Sequence, residues 1–225
     1  MEQGTQPVIG IVGGTGDLGS GLARRWTKAG YTVVIGSRKL EGAQEAAEAI
    51  RAQAAAGGWD NCSVEGRENS DAAQAADVVV VTVPFAHQRP TLEAIAPMVA
   101  GKTVVDVTVP LVPPKVARVQ LPPEGSAGQI AQDVLGEGVH VVSAFQNVAA
   151  AHLQTDDPIA CDVLVCGNSK DARQQVIDLM ATIGMRGVHA GLINNAAAAE
   201  ALTSVLININ RQFKTHSGIR ITGID

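Results

Sequence analysis

A short apolar run, Val8–Val12, breaks at once into the glycine-rich stretch GGTGDLGSG and then into a helical pattern. Gly14, Gly16 and Gly19 stand in the spacing G-x-G-x-x-G. The pattern alone is weak. Here it follows a predicted strand and opens a predicted helix, the setting that a dinucleotide-binding strand–helix–strand unit requires. Gly14 permits the tight turn, Gly16 lets backbone approach a pyrophosphate, and Gly19 permits close helix–strand packing. The helix start adds free N–H groups and the positive end of its dipole. The competing reading is a glycine turn that holds no ligand.

The residues after the second predicted strand discriminate between dinucleotides. A site for NAD places a carboxylate there, about 20 residues on from the glycines, to hold the ribose 2′-hydroxyl. The sequence reads VVIGSRK, with no carboxylate between Tyr31 and Lys39. Ser37 can hydrogen-bond a phosphate oxygen. Arg38 offers a planar fork for bidentate phosphate binding, and Lys39 adds charge. The expected dinucleotide is therefore NADP(H). Arg38 as a solvated surface residue is the alternative.

Strand-like and helix-like segments alternate through the first two thirds. Asp17–Ala29 carries apolar residues at helical spacing and ends at Gly30; Thr32–Ile35 reads as a strand and Glu41–Ala56 as a helix. DVVVVTV, Asp77–Val83, is a run that only a strand buried on both faces needs. A helix over Thr91–Val99 and strands at Lys102–Val107 and Val139–Ser143 continue the alternation, which predicts an α/β fold with a doubly wound parallel sheet. Hydrophobic residues make up 46% of the chain and aromatics only 3%, so the core must be built of Val, Ile, Leu and Ala. Leu111–Gly128 holds prolines and little periodicity; it reads as an excursion over the carboxyl edge of the sheet, a lid or substrate wall.

After about Ala150 the pattern shifts. CDVLVC, Cys161–Cys166, reads as a strand, Ala172–Ile183 as a helix, and Asn194–Phe213 as a long helix apolar enough to be buried, against a second subunit or otherwise. Two domains are expected, residues 1–150 binding the dinucleotide and residues 151–225 forming a small α/β domain that walls the cleft and makes dimer contacts. The net charge of −5, without runs of one sign, gives no basic footprint for nucleic acid and no membrane patch. The opening residues MEQGTQPV read as no signal peptide, and no apolar stretch is long enough to span a membrane. Cys62, Cys161 and Cys166 form no CxxC pair and read as free thiols of a cytoplasmic protein; no Cys/His set has metal-ligand spacing, so no metal is expected.

A catalytic acid or base is hard to find. The only tyrosine is Tyr31, in the second strand, so a Tyr-x-x-x-Lys dyad is missing. His87, after VTVPFAH, ends a strand at the ligand edge and is either a cofactor contact or a loop histidine. His140 and His189 read as structural, His216 as surface, and His152 as near the cleft. Asp106 either orients a ligand or caps a turn; Asp156 and Asp157 read as loop. Gln146 and Asn147, in AFQNVAAAH, could meet a carbonyl or a ring edge, or satisfy loop backbone. A cleft built from Pro84, Phe85, Pro110, Phe145, Gln146 and Asn147 is poor in ionisable groups, which suits direct hydride transfer with no obligatory catalytic side chain.

The ordered set GGTGDLGSGLA, VVIGSR, VTVPFAHQ, PLVPP, SAGQIAQDVL, VVSAF, DVLVCG and LININR resembles the F420-dependent NADP oxidoreductases over nearly the whole chain. The resemblance implies a Rossmann-type domain with a small C-terminal domain, a homodimer, and hydride transfer between C4 of the nicotinamide and C5 of the deazaflavin coenzyme F420. It implies Thr15, Gly16, Asp17 and Leu18 at the pyrophosphate, and Ser37 and Arg38 at the 2′-phosphate. Val83 and His87 would lie along the nicotinamide half, with Val112 and Ala150 closing over the ring. Two positions depart from the archaeal pattern: Gly42 stands where those members carry a basic residue, and Gln146 where they carry a histidine. An NADPH-linked reductase of a carbonyl, imine or methylene-pterin, and a non-catalytic NADPH-binding protein, are the alternatives.

Overall fold

The computed structural model describes residues 6–224, so the first five residues of the MEQGTQPV segment lie outside the described residues. Strands β1 (Ile9–Val12), β2 (Thr32–Ser37), β3 (Ser63–Glu68), β4 (Val78–Val81), β5 (Thr103–Asp106), β6 (His140–Ser143), β7 (Asp162–Gly167) and β8 (Arg186–His189) form one sheet in the order β3-β2-β1-β4-β5-β6-β7-β8. The first six strands run parallel; β7 pairs antiparallel with β6, and β8 runs parallel to β7. The chain leaves β1 for β2 on one side and later returns to place β4 on the other. This reversal opens a crevice above the carboxyl ends of β1 and β4.

The helices are α1 (Asp17–Lys28), α2 (Leu40–Gly57), α3 (Asn69–Ala75), α4 (Phe85–Ile95), α5 (Ala127–Leu135), α6 (Ala150–Leu153), α7 (Lys170–Thr182) and α8 (Ala196–Phe213). They cover both faces of the sheet, which explains the four consecutive valines of β4. Val78 and Val80 enter one apolar cluster with Ile9, Leu22 and Trp26; Val79 and Val81 enter the other with Val12, Leu92 and Val104. The division expected at residue 150 coincides with the start of α6, and the sheet is continuous across it. The fully buried Trp26 of α1 reaches into the C-terminal part, donating its indole N–H to the Leu179 carbonyl at 3.1 Å.

Several elements differ from the sequence reading. β3 and α3 were not expected there. β3 is an edge strand in which only Val64 is buried, so it lacks an apolar run. α4 starts at Phe85 rather than at Thr91 and carries Pro90 inside it, where the ring has no N–H to give the Ala86 carbonyl. Within the chain, α8 buries one face through Ala196, Ala199, Glu200, Ser204 and Leu206, and leaves Val205 and Phe213 exposed.

Candidate functional site

The glycine loop is held from below by one backbone and one side-chain acceptor. The Gly14 N–H donates to the Gly36 carbonyl at 2.9 Å, and the Gly13 N–H donates to Asn69 Oδ1 at 3.1 Å. The glycines have separate tasks. The left-handed residue of the turn is Gly13, with φ +74°, rather than Gly14. A Cβ on Gly14 would meet the Ile11 carbonyl oxygen at 2.8 Å, and one on Gly19 would meet Gly14 Cα and Thr82 Oγ1, both at 2.7 Å. Both positions therefore fix how closely the loop lies on β1, β4 and its own turn. At Gly16 a Cβ would meet nothing within 4 Å. That open side faces a cavity of about 790 Å³ above the crevice.

The cavity joins residues from distant parts of the sequence. Thr15, Gly16, Asp17 and Leu18 supply one end, together with Ser37, Arg38 and Asn69. Val83, Pro84, Phe85 and His87 continue it past β4, Ala150 borders it from α6, Val107 and Thr108 wall it from just after β5, and Leu111, Pro113 and Val116 from the excursion. The Pro-rich stretch thus lies where a lid or wall was expected. Arg38 and Lys39 are exposed, and no carboxylate among the described residues pairs with either. Ser37 Oγ accepts the Lys39 N–H at 3.3 Å, which leaves its own hydrogen free to donate. Lys39 itself precedes α2 and does not border the cavity.

Other expected site residues lie behind the walls. Phe145 is 1% exposed and meets Trp26 edge-to-face at 6.1 Å, so it fills the core rather than the cleft. Gln146 is buried and donates from Nε2 to the Asp106 carbonyl and to Ser143 Oγ. Asn147 donates to the Ala199 carbonyl and Thr203 Oγ1 of α8. Pro110 is buried, and Val112 borders a neighbouring chamber instead. Asn69, Thr82, Thr91, Thr108 and Val116 border the cavity without having been singled out in the sequence.

Two buried carboxyls stand just beneath the cleft. Asp106, at the end of β5, accepts from Gln88 Nε2 at 2.7 Å and from the Thr108 hydroxyl at 2.7 Å. Burial pushes its pKa up to about 6 against these bonds. Glu200 of α8 accepts the Ala127 and Gly128 N–H groups of the α5 N-terminus at 2.7 and 2.9 Å. Burial, opposed by these two donors and aided by the Asp106 charge, pushes it up to about 8. Neither carboxyl borders the cavity; its titratable lining is Asp17, Arg38 and His87. No group of His, Cys, Asp and Glu able to hold a metal is found among the described residues.

The residues present fit a phosphorylated dinucleotide. Gly16 presents a bare backbone at a helix start, and an unpaired guanidinium stands beside a free hydroxyl at the end of β2. Comparison with known proteins agrees. Residues 8–110 match the family model for coenzyme F420-dependent NADP oxidoreductase. The F420-dependent NADP reductase of Methanocaldococcus jannaschii is 41% identical over 96% of this chain and 99% of its own length. That of Methanothermobacter thermautotrophicus is 42% identical over 96% of this chain and 95% of its own. A crystal structure of a candidate F420-dependent NADP reductase from Arthrobacter sp. FB24 superposes with a TM-score of 0.78 at 25% identity, covering 96% of this chain and 100% of that one. A glycine cradle, a phosphate-ready end to β2 and this likeness along nearly the whole length place the chain in the family of F420-dependent NADP oxidoreductases.

Proposed function

We propose that the protein transfers hydride between NADP(H) and coenzyme F420. The observation that carries this reading is the single cavity that runs from the Gly16 cradle and Arg38 to an apolar chamber walled by Val83, Pro84, Phe85 and Leu111. In this reading Thr15, Gly16, Asp17 and Leu18 hold the pyrophosphate, and Ser37 and Arg38 the 2′-phosphate, with Lys39 adding charge. Val83, His87 and Ala150 border the nicotinamide. The walls align the two ring systems and exclude water, while the co-substrates carry the chemistry. Reduction of the deazaflavin takes a hydride at C5 from the nicotinamide C4 and a proton at N1. With so few titratable groups in the lining, that proton comes from solvent.

The test is an anaerobic stopped-flow mix of the protein with NADPH and oxidised F420. Bleaching of the deazaflavin absorbance, absent when NADPH or protein is omitted, is the expected result. Tight NADPH binding with no bleaching would overturn the F420 assignment.

The exposed apolar residues Leu192, Val205 and Phe213, in and beside α8, support assembly as a homodimer through this surface. Light scattering should return twice the chain mass, and Phe213→Asp should shift it toward the monomer. No helix among the described residues is long and apolar enough to cross a membrane, which fits a cytoplasmic enzyme.

A further inference from the structure

Asn69 joins two parts of the main cavity, and half of its amide is uncommitted. β2 and β3 pair in register through Ser37 and Glu68, so Asn69, the next residue, falls level with Arg38 at the carboxyl edge of the sheet. It borders the cavity together with Ser37 and Arg38. Its Oδ1 accepts the Gly13 N–H at 3.1 Å, at the left-handed residue of the glycine turn. The same oxygen packs over Gly36, where a Cβ would meet it at 2.9 Å. A backbone N–H donating to one end of an amide marks that end as the oxygen, which fixes Nδ2 and its two hydrogens on the other side. Nδ2 donates to no described residue. It is not sealed in the interior either: among the described residues, the sealed side-chain polar atoms without a partner belong to Thr27, Gln88 and Gln146. Nδ2 is thus an open donor of fixed orientation on a residue that borders the cavity.

The chemistry of this donor selects its partner. A neutral amide N–H asks for an oxygen that accepts, and it is indifferent to the charge count of the pocket. At this edge of the sheet a ribose 2′-hydroxyl is held by a carboxylate, which accepts from it. Asn69 offers the opposite polarity. A phosphate monoester presents three terminal oxygens, all acceptors, more than the Ser37 hydroxyl and the Arg38 guanidinium fill between them.

We infer that Asn69 is a specificity-determining residue of the dinucleotide site: Oδ1 holds the glycine turn while Nδ2 donates to a 2′-phosphate oxygen. One amide then ties the loop beneath the pyrophosphate to the group that distinguishes NADPH from NADH. The inference rests on the reading of Ser37 and Arg38 as the 2′-phosphate site.

The test is calorimetric titration of the parent, Asn69→Ala and Asn69→Asp with NADPH and with NADH, read as the preference, Kd for NADH over Kd for NADPH. Asn69→Ala removes the tether and the donor without adding charge. The tether serves the half common to both nucleotides, so its loss cancels in the preference, whereas loss of the donor does not. The preference should fall roughly three- to tenfold. Asn69→Asp keeps an acceptor for Gly13 and sets a carboxylate oxygen in place of Nδ2. Its preference should fall further, with NADH binding tightened through the 2′-hydroxyl, a gain that misfolding cannot imitate. An unchanged preference in Asn69→Ala would overturn the inference, whatever happens to the separate affinities. A fall confined to Asn69→Asp would be repulsion through space alone and would overturn it too. A parent that binds NADH as tightly as NADPH would overturn the 2′-phosphate site itself, and the role of Asn69 with it.

Discussion

Removing the Arg38 guanidinium isolates the phosphate pocket from the rest of the fold. Arg38 is exposed at the end of β2 and has no carboxylate partner among the described residues. Truncation therefore strands no charge and opens no core cavity, and thermal stability should stay within about 0.5 kcal/mol of the parent. What is lost, on the proposed assignment, is a charge-assisted hydrogen bond to the 2′-phosphate. Such bonds contribute about 1.5–3 kcal/mol, and the exposed setting favours the lower end. Arg38→Ala should raise the Kd for NADPH roughly 10- to 30-fold. NADH, which has no 2′-phosphate, should be left nearly unchanged. Ser37 keeps a free hydroxyl hydrogen, so a residual preference for NADPH should survive. Calorimetric titration of both nucleotides at low salt, repeated at about 0.5 M salt, reads the effect; screening should narrow the gap in the parent more than in the variant. A variant that loses NADPH and NADH affinity equally would show that Arg38 acts on the shared half of the dinucleotide, and the NADP assignment built on it would fall.

The glycines should separate under substitution. Gly16→Ala should leave the melting temperature unchanged and cost tenfold or more in NADPH affinity on the order of a lost backbone contact. Gly19→Ala should instead destabilise the fold by about 1–3 kcal/mol, because its Cβ meets backbone. Gly42 lies in the first turn of α2, and a Cβ there would sit 3.9 Å from Ser37 Oγ, in ordinary contact. Gly42→Lys should therefore fold and tighten NADPH over NADH by about twofold to tenfold; no change would show that the pocket is complete without it. Glu200 and Asp106 hold protons more tightly in the folded chain, with pKa values near 8 and 6, than when unfolded near 4. The native state thus binds more protons between about pH 4 and 8, and stability should fall as pH rises through that window. Melting curves of Glu200→Gln should show a flatter decline; an unchanged slope would refute the assignment. Asp106→Asn should keep measurable turnover, whereas a loss of about 10³-fold in kcat with NADPH binding intact would mark proton transfer in the mechanism.

The strands were legible where burial on both faces forces an unbroken apolar run, as in VVVV of β4, and illegible where it does not. SVEGRE of β3 buries one valine at the sheet edge and looks like loop. That Thr15, Gly16, Asp17, Leu18, Ser37 and Arg38 would border one cavity was legible for a related reason: backbone approach and phosphate charge demand particular residue types at fixed spacing. The acceptor end makes no such demand. Its wall is largely apolar side chain and proline, so AFQN looked as much like a cleft as the excursion did. Phe145 instead fills the core, edge-to-face against Trp26. One signal was available and unread. Glu200 stands alone in AAAAEAL, and a charge on the buried face of an apolar helix requires a partner.

The buried polar groups explain how the cleft stays apolar. Asp106 ties α4 through Gln88 to the start of the excursion through Thr108. Gln88 passes the tie to Ala127 at the start of α5, and Glu200 anchors the same turn to α8. Gln146 joins β5 to the loop after β6. The walls of the cleft thus hang on one network whose carboxyls, Asp106 and Glu200, do not border the cavity. Turning Asp106 into the cleft would break its bonds to Gln88 and Thr108 and free α4 from the excursion. An acid–base role for Asp106 would therefore have to be reached at the expense of wall geometry, which is what the turnover of Asp106→Asn reads. For hydride transfer between two stacked rings intact walls are the useful choice, because distance and dryness decide the rate and no side chain has to exchange a proton with the reacting carbons.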